Sequence, residues 1–520
     1  MSRPVHVVLA VLAFLPISTV AIAADDAEKP NIVVFLVDDL GWQDVSVPMW
    51  TKRTPFNDHF RTPNVERLAA TGVRFWQSYS CAVCSPTRTS LMTGQNAARH
   101  HVTQWTRDPS RDPSGKTDRL ESPKGWRLEG LQPGDVTLPA LLQKRGYFTI
   151  HAGKAHWGAA GTPGSDPRQL GFDVNIAGHE AGGPGSYHGQ HDYSAQWRNG
   201  SSVWDVPGLE HYHGLPVHLT DATTVEALRA VDRALDDEKP FYLYLAHYAV
   251  HAPIEEHRPY ADRYRESGVD EPESRYASMV EGFDASLGAV LRHLERRGVA
   301  ESTLVVFTSD NGGLSVHSRG QTPRGTGKNT HNWPLREGKG SAYEGGTRVP
   351  TVISWAKRQD DHLAQQRLPI EADAVRETPI IVEDLFPTIL RWTGAELPAD
   401  HPIDGVDLSP LLTSDEGISR ERPLLFHYPH VWGPKGKGYQ PHTSLRLGDW
   451  KAIYFYEPRR WELYDLASDL SEEHDLSSEE PERLAMLSAR MLELLKARGA
   501  QWPTVTANGE AEPIQRPGTD

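Results

Sequence analysis

Two apolar runs that end in acidic side chains limit this chain more than any other feature. Residues 31–37 (N-I-V-V-F-L-V) pass directly into Asp38-Asp39-Leu40-Gly41, and residues 303–308 pass into Ser309-Asp310-Asn311. Near-continuous apolarity over such a length suits a strand buried on both faces of a parallel sheet. Helical segments separate runs of this kind. Thr62 and Pro63 can open a helix that Gly72 closes. Residues 137–145 read as a helix stopped by Gly146. Tyr276, Met279, Val280, Phe283, Leu287, Val290, Leu291 and Leu294 keep the three-four spacing of one long amphipathic helix that Gly298 ends. Residues 73–77, 147–152, 241–246 and 349–354 are further strand candidates. The alternation predicts an α/β fold, a large mostly parallel sheet flanked by helices. Ligands bind such sheets at the carboxyl ends of the strands, so the polar residues that follow each run are the candidates for chemistry.

The texture changes near residue 420. Short strand candidates at 424–428, 444–447, 451–456 and 461–464 alternate with Gly/Pro-rich turns, and a helix over 482–498 follows. The organisation expected is a leader over 1–23, a main α/β domain over 24–420, a smaller C-terminal α+β subdomain over 421–500 built on an antiparallel sheet, and a loosely held tail over 501–520. The leader reading rests on Arg3 and His6 before the apolar run 7–15, on Ala21-Ile22-Ala23, and on the acidic Asp25 and Asp26. That is the pattern of a secretory signal peptide, and the run is too short to span a bilayer. A secreted or periplasmic protein without a membrane anchor is expected. A net charge of −15 disfavours a nucleic-acid partner. With only Cys81 and Cys84, no disulfide framework can hold the chain.

If the strands that end at Asp38-Asp39 and Asp310-Asn311 are both central, four oxygen-bearing side chains meet at one sheet edge. Adjacent carboxylates repel unless a cation neutralises them, and hard divalent cations take all-oxygen shells. A carboxamide among carboxylates leans toward calcium over zinc. Either acidic pair alone would ordinarily be a turn or a helix cap. The Cys81-Ala82-Val83-Cys84 segment admits three readings: a redox disulfide, half of a zinc site lacking its second cysteine pair, or a nucleophile precursor at Cys84. Pro86 and Arg88 favour the third. Two stretches, 95–135 and 158–220, lack periodicity. The second carries His179, His188, His191, His211, His213 and Trp204. Aromatic rings among polar donors suit a sugar, and an ordinary surface loop is the alternative.

With these residues in view, the chain resembles the type I sulfatases of the alkaline phosphatase superfamily. Their C-x-P-x-R signature, followed by a leucine and T-G, stands here as Cys84-Ser85-Pro86-Thr87-Arg88 with Leu91 and Thr93-Gly94. Asp38-Asp39-Leu40-Gly41, Gly153-Lys154-Ala155-His156, His251-Ala252-Pro253, Asp310-Asn311-Gly312-Gly313, and Gly338-Lys339-Gly340 leading to Glu344-Gly345-Gly346-Thr347-Arg348-Val349-Pro350 follow the family's order. Gly448-Asp449-Trp450-Lys451 and Glu462-Leu463-Tyr464-Asp465-Leu466 resemble its C-terminal end. Ala155 and Trp157-Gly158 depart from the commoner sequence but leave Lys154 and His156 in place. His247 rivals His251, and the H-x-P context favours His251.

The resemblance implies an alkaline phosphatase-like fold and sulfate ester hydrolysis. It implies that a maturation enzyme converts Cys84 to formylglycine, and that Asp38, Asp39, Asp310, Asn311 and the converted Cys84 bind calcium. Arg88, Lys154, His156, His251 and Lys339 would surround the sulfate. In the implied mechanism a hydroxyl of hydrated formylglycine attacks sulfur in line and Asp310 accepts its proton. Arg88, Lys154 and Lys339 offset charge on the sulfuryl oxygens. His251, with Lys339, protonates the leaving oxygen, and His156 deprotonates the second hydroxyl, which expels sulfate. Gly41-Trp42-Gln43-Asp44 through Trp50, with Asn96-Ala97-Ala98-Arg99-His100, is similar to bacterial sulfatases acting on galactose-type sugars. A carbohydrate sulfate is therefore expected over an aryl sulfate, bound by Lys154, His251, Lys339, His179, Trp204 and His213. The alternatives are a phosphonate or phosphate monoester hydrolase of the same superfamily and a catalytically silent glycan-binding protein. Cys81 is left as a lone thiol, or as a disulfide partner in the immature chain.

Overall fold

The computed structural model describes residues 29–269, 271–314, 332–433 and 436–518; the leader expected over 1–23 lies outside them. The strands in chain order are β1 (Asn31–Val37), β2 (Val73–Tyr79), β3 (Leu120–Glu121), β4 (Phe148–Gly153), β5 (Val174–Ile176), β6 (Phe241–Ala246), β7 (Thr303–Ser309), β8 (Arg348–Trp355), β9 (Ala374–Arg376), β10 (Ile380–Ile381), β11 (Leu424–Tyr428), β12 (His442–Leu447), β13 (Trp450–Phe455), β14 (Arg460–Asp465) and β15 (Thr504–Val505). The large sheet runs β10-β2-β8-β7-β1-β6-β4-β5, with β9 also on β2. β1 lies inside it, parallel to β6 and β7. Its residues explain the placement: Val33, Phe35 and Val37 enter one core, Ile32, Val34 and Leu36 the other, and all are fully buried.

The helices Leu219–Asp236 and Glu271–Arg296 cover the first face, and Leu138–Lys144 and Leu385–Thr393 pack on the second. The long helix contains the whole apolar series read from the sequence. β8 is the exception to the parallel order, pairing antiparallel with both β7 and β2. β4 ends at Gly153, whose φ is +99°. A Cβ there would stand 1.9 Å from the Ala246 carbonyl oxygen, so only glycine lets the chain turn beneath β6 and present Lys154.

β11 to β14 form the expected antiparallel sheet. Leu484, Leu487, Met491 and Leu495 of the helix Pro481–Arg498 share a core with Leu445, Ala452, Tyr454 and Leu463. The described residues after Gln501, up to 518, are not loosely held. β15 pairs with β3, Ile514 is buried, and Trp461 Nε1 donates to the Gln515 carbonyl at 2.8 Å. Glu512 pairs with Arg119 and Arg459. A few apolar and acidic anchors hold this stretch despite its polar composition.

A buried ionic network joins the two sheets. Lys451 Nζ lies 3.0 Å from Glu344 Oε1 and 2.9 Å from Glu472 Oε1. Tyr79 donates its hydroxyl to Glu344 Oε2 at 2.6 Å, and the Glu344 amide donates to Glu472 Oε2 at 2.6 Å. Burial would raise the Glu344 carboxyl, but Lys451 and Arg348 hold it down at about 2. Burial and the Glu344 charge, against the pull of Lys451, push Glu472 up to about 7. Lys451→Met should cost about 3–5 kcal/mol of unfolding free energy, because it leaves two buried carboxylates facing each other. Urea denaturation of the full chain measures this, and adding Glu344→Gln with Glu472→Gln should restore most of the loss.

Candidate active site

The register of the central strands builds the site. Val37 pairs with Ser309, so the residues after each strand emerge side by side. Asp39 turns the chain with φ +61°, its amide donating to Asp310 Oδ1 at 3.2 Å, and the Leu40 amide donates to Ser309 Oγ at 3.0 Å. Asp38, Asp39, Asp310 and Asn311 are fully buried. One oxygen from each of the three aspartates lies within 4.8 Å of the others. Each carboxylate has its own cation. Lys154 Nζ stands 2.7 Å from Asp38 Oδ2, Lys339 Nζ 2.6 Å from Asp39 Oδ1, and Arg88 Nε and Nη2 2.9 and 2.8 Å from Asp310 Oδ2.

Three acceptors remain bare: Asp38 Oδ1, Asp39 Oδ2 and Asn311 Oδ1 have no hydrogen-bond partner. Asn311 spends its amide nitrogen on Asp39 Oδ1 at 2.7 Å and on the Gly312 carbonyl at 3.0 Å, leaving its oxygen available. Buried acceptors without partners are costly. Clustered oxygens from three aspartates, with the bare Asn311 oxygen on the next residue and no sulfur or imidazole among these four residues, fit a hard divalent cation. Burial and the neighbouring Asp310 push the Asp38 carboxyl well above its ordinary range. For Asp39, Lys339 and His251 overcome burial and hold the carboxyl low.

Cys84 opens the buried helix Cys84–Thr93, and its Sγ lies 3.2 Å from His156 Nδ1. His156 Nε2 lies 2.9 Å from the Thr106 carbonyl oxygen. A carbonyl only accepts, so Nε2 carries the proton and Nδ1 presents a lone pair to Cys84. Burial, then Lys154, Arg88 and Lys339, holds His156 well below the ordinary imidazole range. Burial also raises the Cys84 thiol. His251 Nδ1 donates to the Ala252 carbonyl at 2.7 Å, and its Nε2 faces Asp39 Oδ2 at 3.7 Å. Its side chain is 24% exposed, which puts it at the mouth. Burial and Lys339 bring it down to about 3 against the attraction of Asp39.

A family model for sulfatases matches residues 30–395, and one for the C-terminal part of N-sulphoglucosamine sulphohydrolase matches residues 338–499. The chain belongs to the sulfatase family. It is a sulfuric ester hydrolase. It is 27% identical to a sulfatase of Formosa agariphila over 91% of this chain and 89% of that one. It is 28% identical to the N-acetylgalactosamine-6-sulfatase of Mus musculus over 86% of this chain and 76% of the relative. The crystal structure of Ps i-CgsB superposes with a TM-score of 0.70 at 27% identity, covering 90% of this chain and 93% of that one. The same protein has a structure in complex with k-i-k-neocarrahexaose.

Ten of the residues read from the sequence meet here: Asp38, Asp39, Cys84, Arg88, Lys154, His156, His251, Asp310, Asn311 and Lys339. His247 is separated from His251 by its contacts. It is buried, with Nε2 2.8 Å from Ser286 Oγ and its ring against Phe35, a satisfied core histidine. His179 lies behind His156, whose amide donates to its carbonyl at 3.3 Å. Trp204 sits under the Arg107 guanidinium at 5.7 Å, next in sequence to Thr106. His213 meets Tyr193 and Asp192, and no contact among the described residues joins it to the acidic cluster. Cys81 and Cys84 are both free thiols; burial pushes Cys81 up to about 12.

Several positioning residues had no motif to announce them. Thr106 fixes the His156 tautomer. Gly182 and Gly183 press against the two histidines: a Cβ would lie 2.5 Å from His156 Cε1 and 2.7 Å from His251 Nδ1. Tyr187 donates to the Tyr248 and His251 carbonyls at 2.6 and 2.9 Å. The only sequence signal was the missing periodicity of the two long stretches that carry Thr106, Gly182, Gly183 and Tyr187. Adding calcium to chelator-treated protein should raise the thermal midpoint by several degrees. Asp38→Asn should weaken that response roughly tenfold or more, because ligand charge sets affinity at such sites. A midpoint indifferent to every divalent cation would contradict the reading of the bare oxygens.

Proposed function

We propose that this enzyme removes sulfate from a carbohydrate ester, with Cys84 converted to formylglycine and calcium held by Asp38, Asp39, Asp310 and Asn311. One observation carries the reading: a neutral imidazole of fixed tautomer aims its lone pair at the Cys84 side chain, 3.2 Å away. When present, calcium would supply positive charge beside the sulfuryl oxygens, and hydrated formylglycine a hydroxyl nucleophile. The chain's own groups do the rest. Arg88, Lys154 and Lys339 concentrate three cations on the point that Cys84 faces, where charge develops on sulfuryl oxygens. Lys339 stays protonated, since Asp39 and the neighbouring acidic groups together outweigh the effect of burial. His156 Nδ1 takes a proton from the side chain at position 84. His251 presents Nε2 at the mouth, and an anionic ester beside it raises its proton affinity, so it can carry the proton to the leaving oxygen.

The sugar assignment is supported by Trp204 and Arg107 next to Thr106, by Trp105 with its ring 6.5 Å from His156, and by the substrates in the names of the relatives. A galactose-type sugar is the finer proposal. The same reading includes export by residues 1–23 and conversion of Cys84 by a formylglycine-generating enzyme. A panel of sulfated galactose, N-acetylgalactosamine and glucosamine, an aryl sulfate and a matched aryl phosphate tests it. At least one sugar sulfate should exceed the aryl sulfate in kcat/KM by about a hundredfold. Faster turnover of the aryl ester than of every sugar would overturn the carbohydrate assignment. His156→Ala should lower kcat by about 10²–10⁴ on the preferred ester while leaving the fold intact.

A further inference from the structure

The opposite edge of the large sheet carries a groove that the reaction does not use. Pro30, just before β1, lines a cavity of about 610 Å³ together with Trp355 at the end of antiparallel β8. Leu304 of β7 pairs with Trp355, so this is the edge where the parallel strands begin. β1 has seven residues, which puts the groove roughly 20 Å from Asp38. Trp355 and Trp392 back it from the core, 3% and 8% exposed, with their indole nitrogens donated to the Leu368 carbonyl and to Ser409 Oγ at 3.2 and 3.1 Å, and the exposed Pro369 and Pro410 form its apolar lining. The cavity meets a second recess of about 430 Å³ that shares Arg145 and Gly394 with it, so the two make one elongated trough.

Its charge runs against that of the molecule. The chain carries −15 overall, yet Lys29, Arg367 and Arg391 line the first recess and Lys144 the second. Arg367 and Arg391 are exposed and meet no carboxylate among the described residues. Lys29 Nζ donates to the neutral Arg145 carbonyl at 3.1 Å. The acids that line the trough are Asp407, which accepts from the Ser409 amide and hydroxyl at 2.9 and 2.6 Å, and Glu396. Such a patch concentrates anions despite the overall repulsion, and the guanidinium fork suits oxyanions bidentately.

We infer that this trough is a second, non-catalytic binding site for a sulfated oligosaccharide. Arginines on the rim take the sulfates, and the exposed rings of Pro369 and Pro410 meet the apolar faces of the sugar. The inference rests on the carbohydrate reading above. A sulfated chain held here keeps the enzyme on its polymer while the catalytic edge remains open.

The test counts binding sites on full-length Cys84→Ala protein, which does not consume its ligand, by calorimetry with a sulfated galactan hexasaccharide. Two equivalents are expected, and one after Arg367→Ala with Arg391→Ala. On the unaltered Cys84 background, the two arginine substitutions should leave kcat/KM for an aryl sulfate unchanged. One equivalent that survives the arginine substitutions overturns the trough and leaves the carbohydrate reading intact. One equivalent that disappears with them supports the trough but counts against a sugar ester at the catalytic centre. No binding at all, with normal aryl sulfate turnover, overturns both. Inorganic sulfate bound in the trough as tightly as the sulfated hexasaccharide, and lost equally with the two arginines, reduces the trough to an anion site and overturns the proposal.

Discussion

Three carboxylates packed at the ends of two adjacent strands cannot remain there unless charge is supplied to them. The oxygens of Asp38, Asp39 and Asp310 are buried together, and like charges at such distances repel strongly where water is absent. The fold answers with one cation per carboxylate, each delivered by a different element. Arg88 comes from the helix that Cys84 opens, Lys154 from the turn after β4, and Lys339 from the segment ahead of β8. A break in any of these elements would strand a buried charge, so the sheet order, the Gly153 turn and the helix position all answer to this one electrostatic demand.

The same demand accounts for the small C-terminal sheet. The segment that carries Lys339 is pinned on both sides: the Lys339 amide donates to the Gly313 carbonyl at 3.1 Å, the Gly340 amide to Ala82 at 2.8 Å, and the Ala342 amide to Gly438 at 2.8 Å. Tyr343 donates to Glu462 of β14 at 3.0 Å, and Lys451 of β13 reaches Glu344. The C-terminal sheet therefore braces the lysine that neutralises Asp39, and the long stretch that carries Thr106 sets the tautomer of the imidazole facing Cys84. Support of this kind holds a reactive constellation to the tolerance that chemistry requires.

What was legible in the sequence, and what was not, follows from which signals are local. An apolar run that ends in Asp-Asp or Asp-Asn marks a buried strand with chemistry at its carboxyl end, and β1 and β7 are such strands. The direction of β8 was not readable, because a run buried on both faces looks the same in either orientation. The tail beyond Gln501 is composed like a disordered segment, but β15, Ile514 and Glu512 each find a distant partner that composition cannot show. Thr106, Gly182, Gly183 and Tyr187 act through backbone carbonyls or through the absence of a side chain, and neither leaves a pattern in the chain. His213 lies with Tyr193 and Asp192 and has no contact with the acidic cluster among the described residues, a placement that its sequence neighbours do not show.

The account turns on the chemical identity of position 84, where a base stands 3.2 Å away and Arg88, Lys154 and Lys339 surround a side chain that burial keeps a poor thiolate. Mass spectrometry of the peptide that contains Cys84, taken from protein of the native host, measures that identity directly. The account predicts a species about 18 mass units below the cysteine form, as an aldehyde replaces the thiol, with sulfatase activity that rises in proportion to it. Full activity in protein whose Cys84 peptide carries only the unmodified thiol would contradict it.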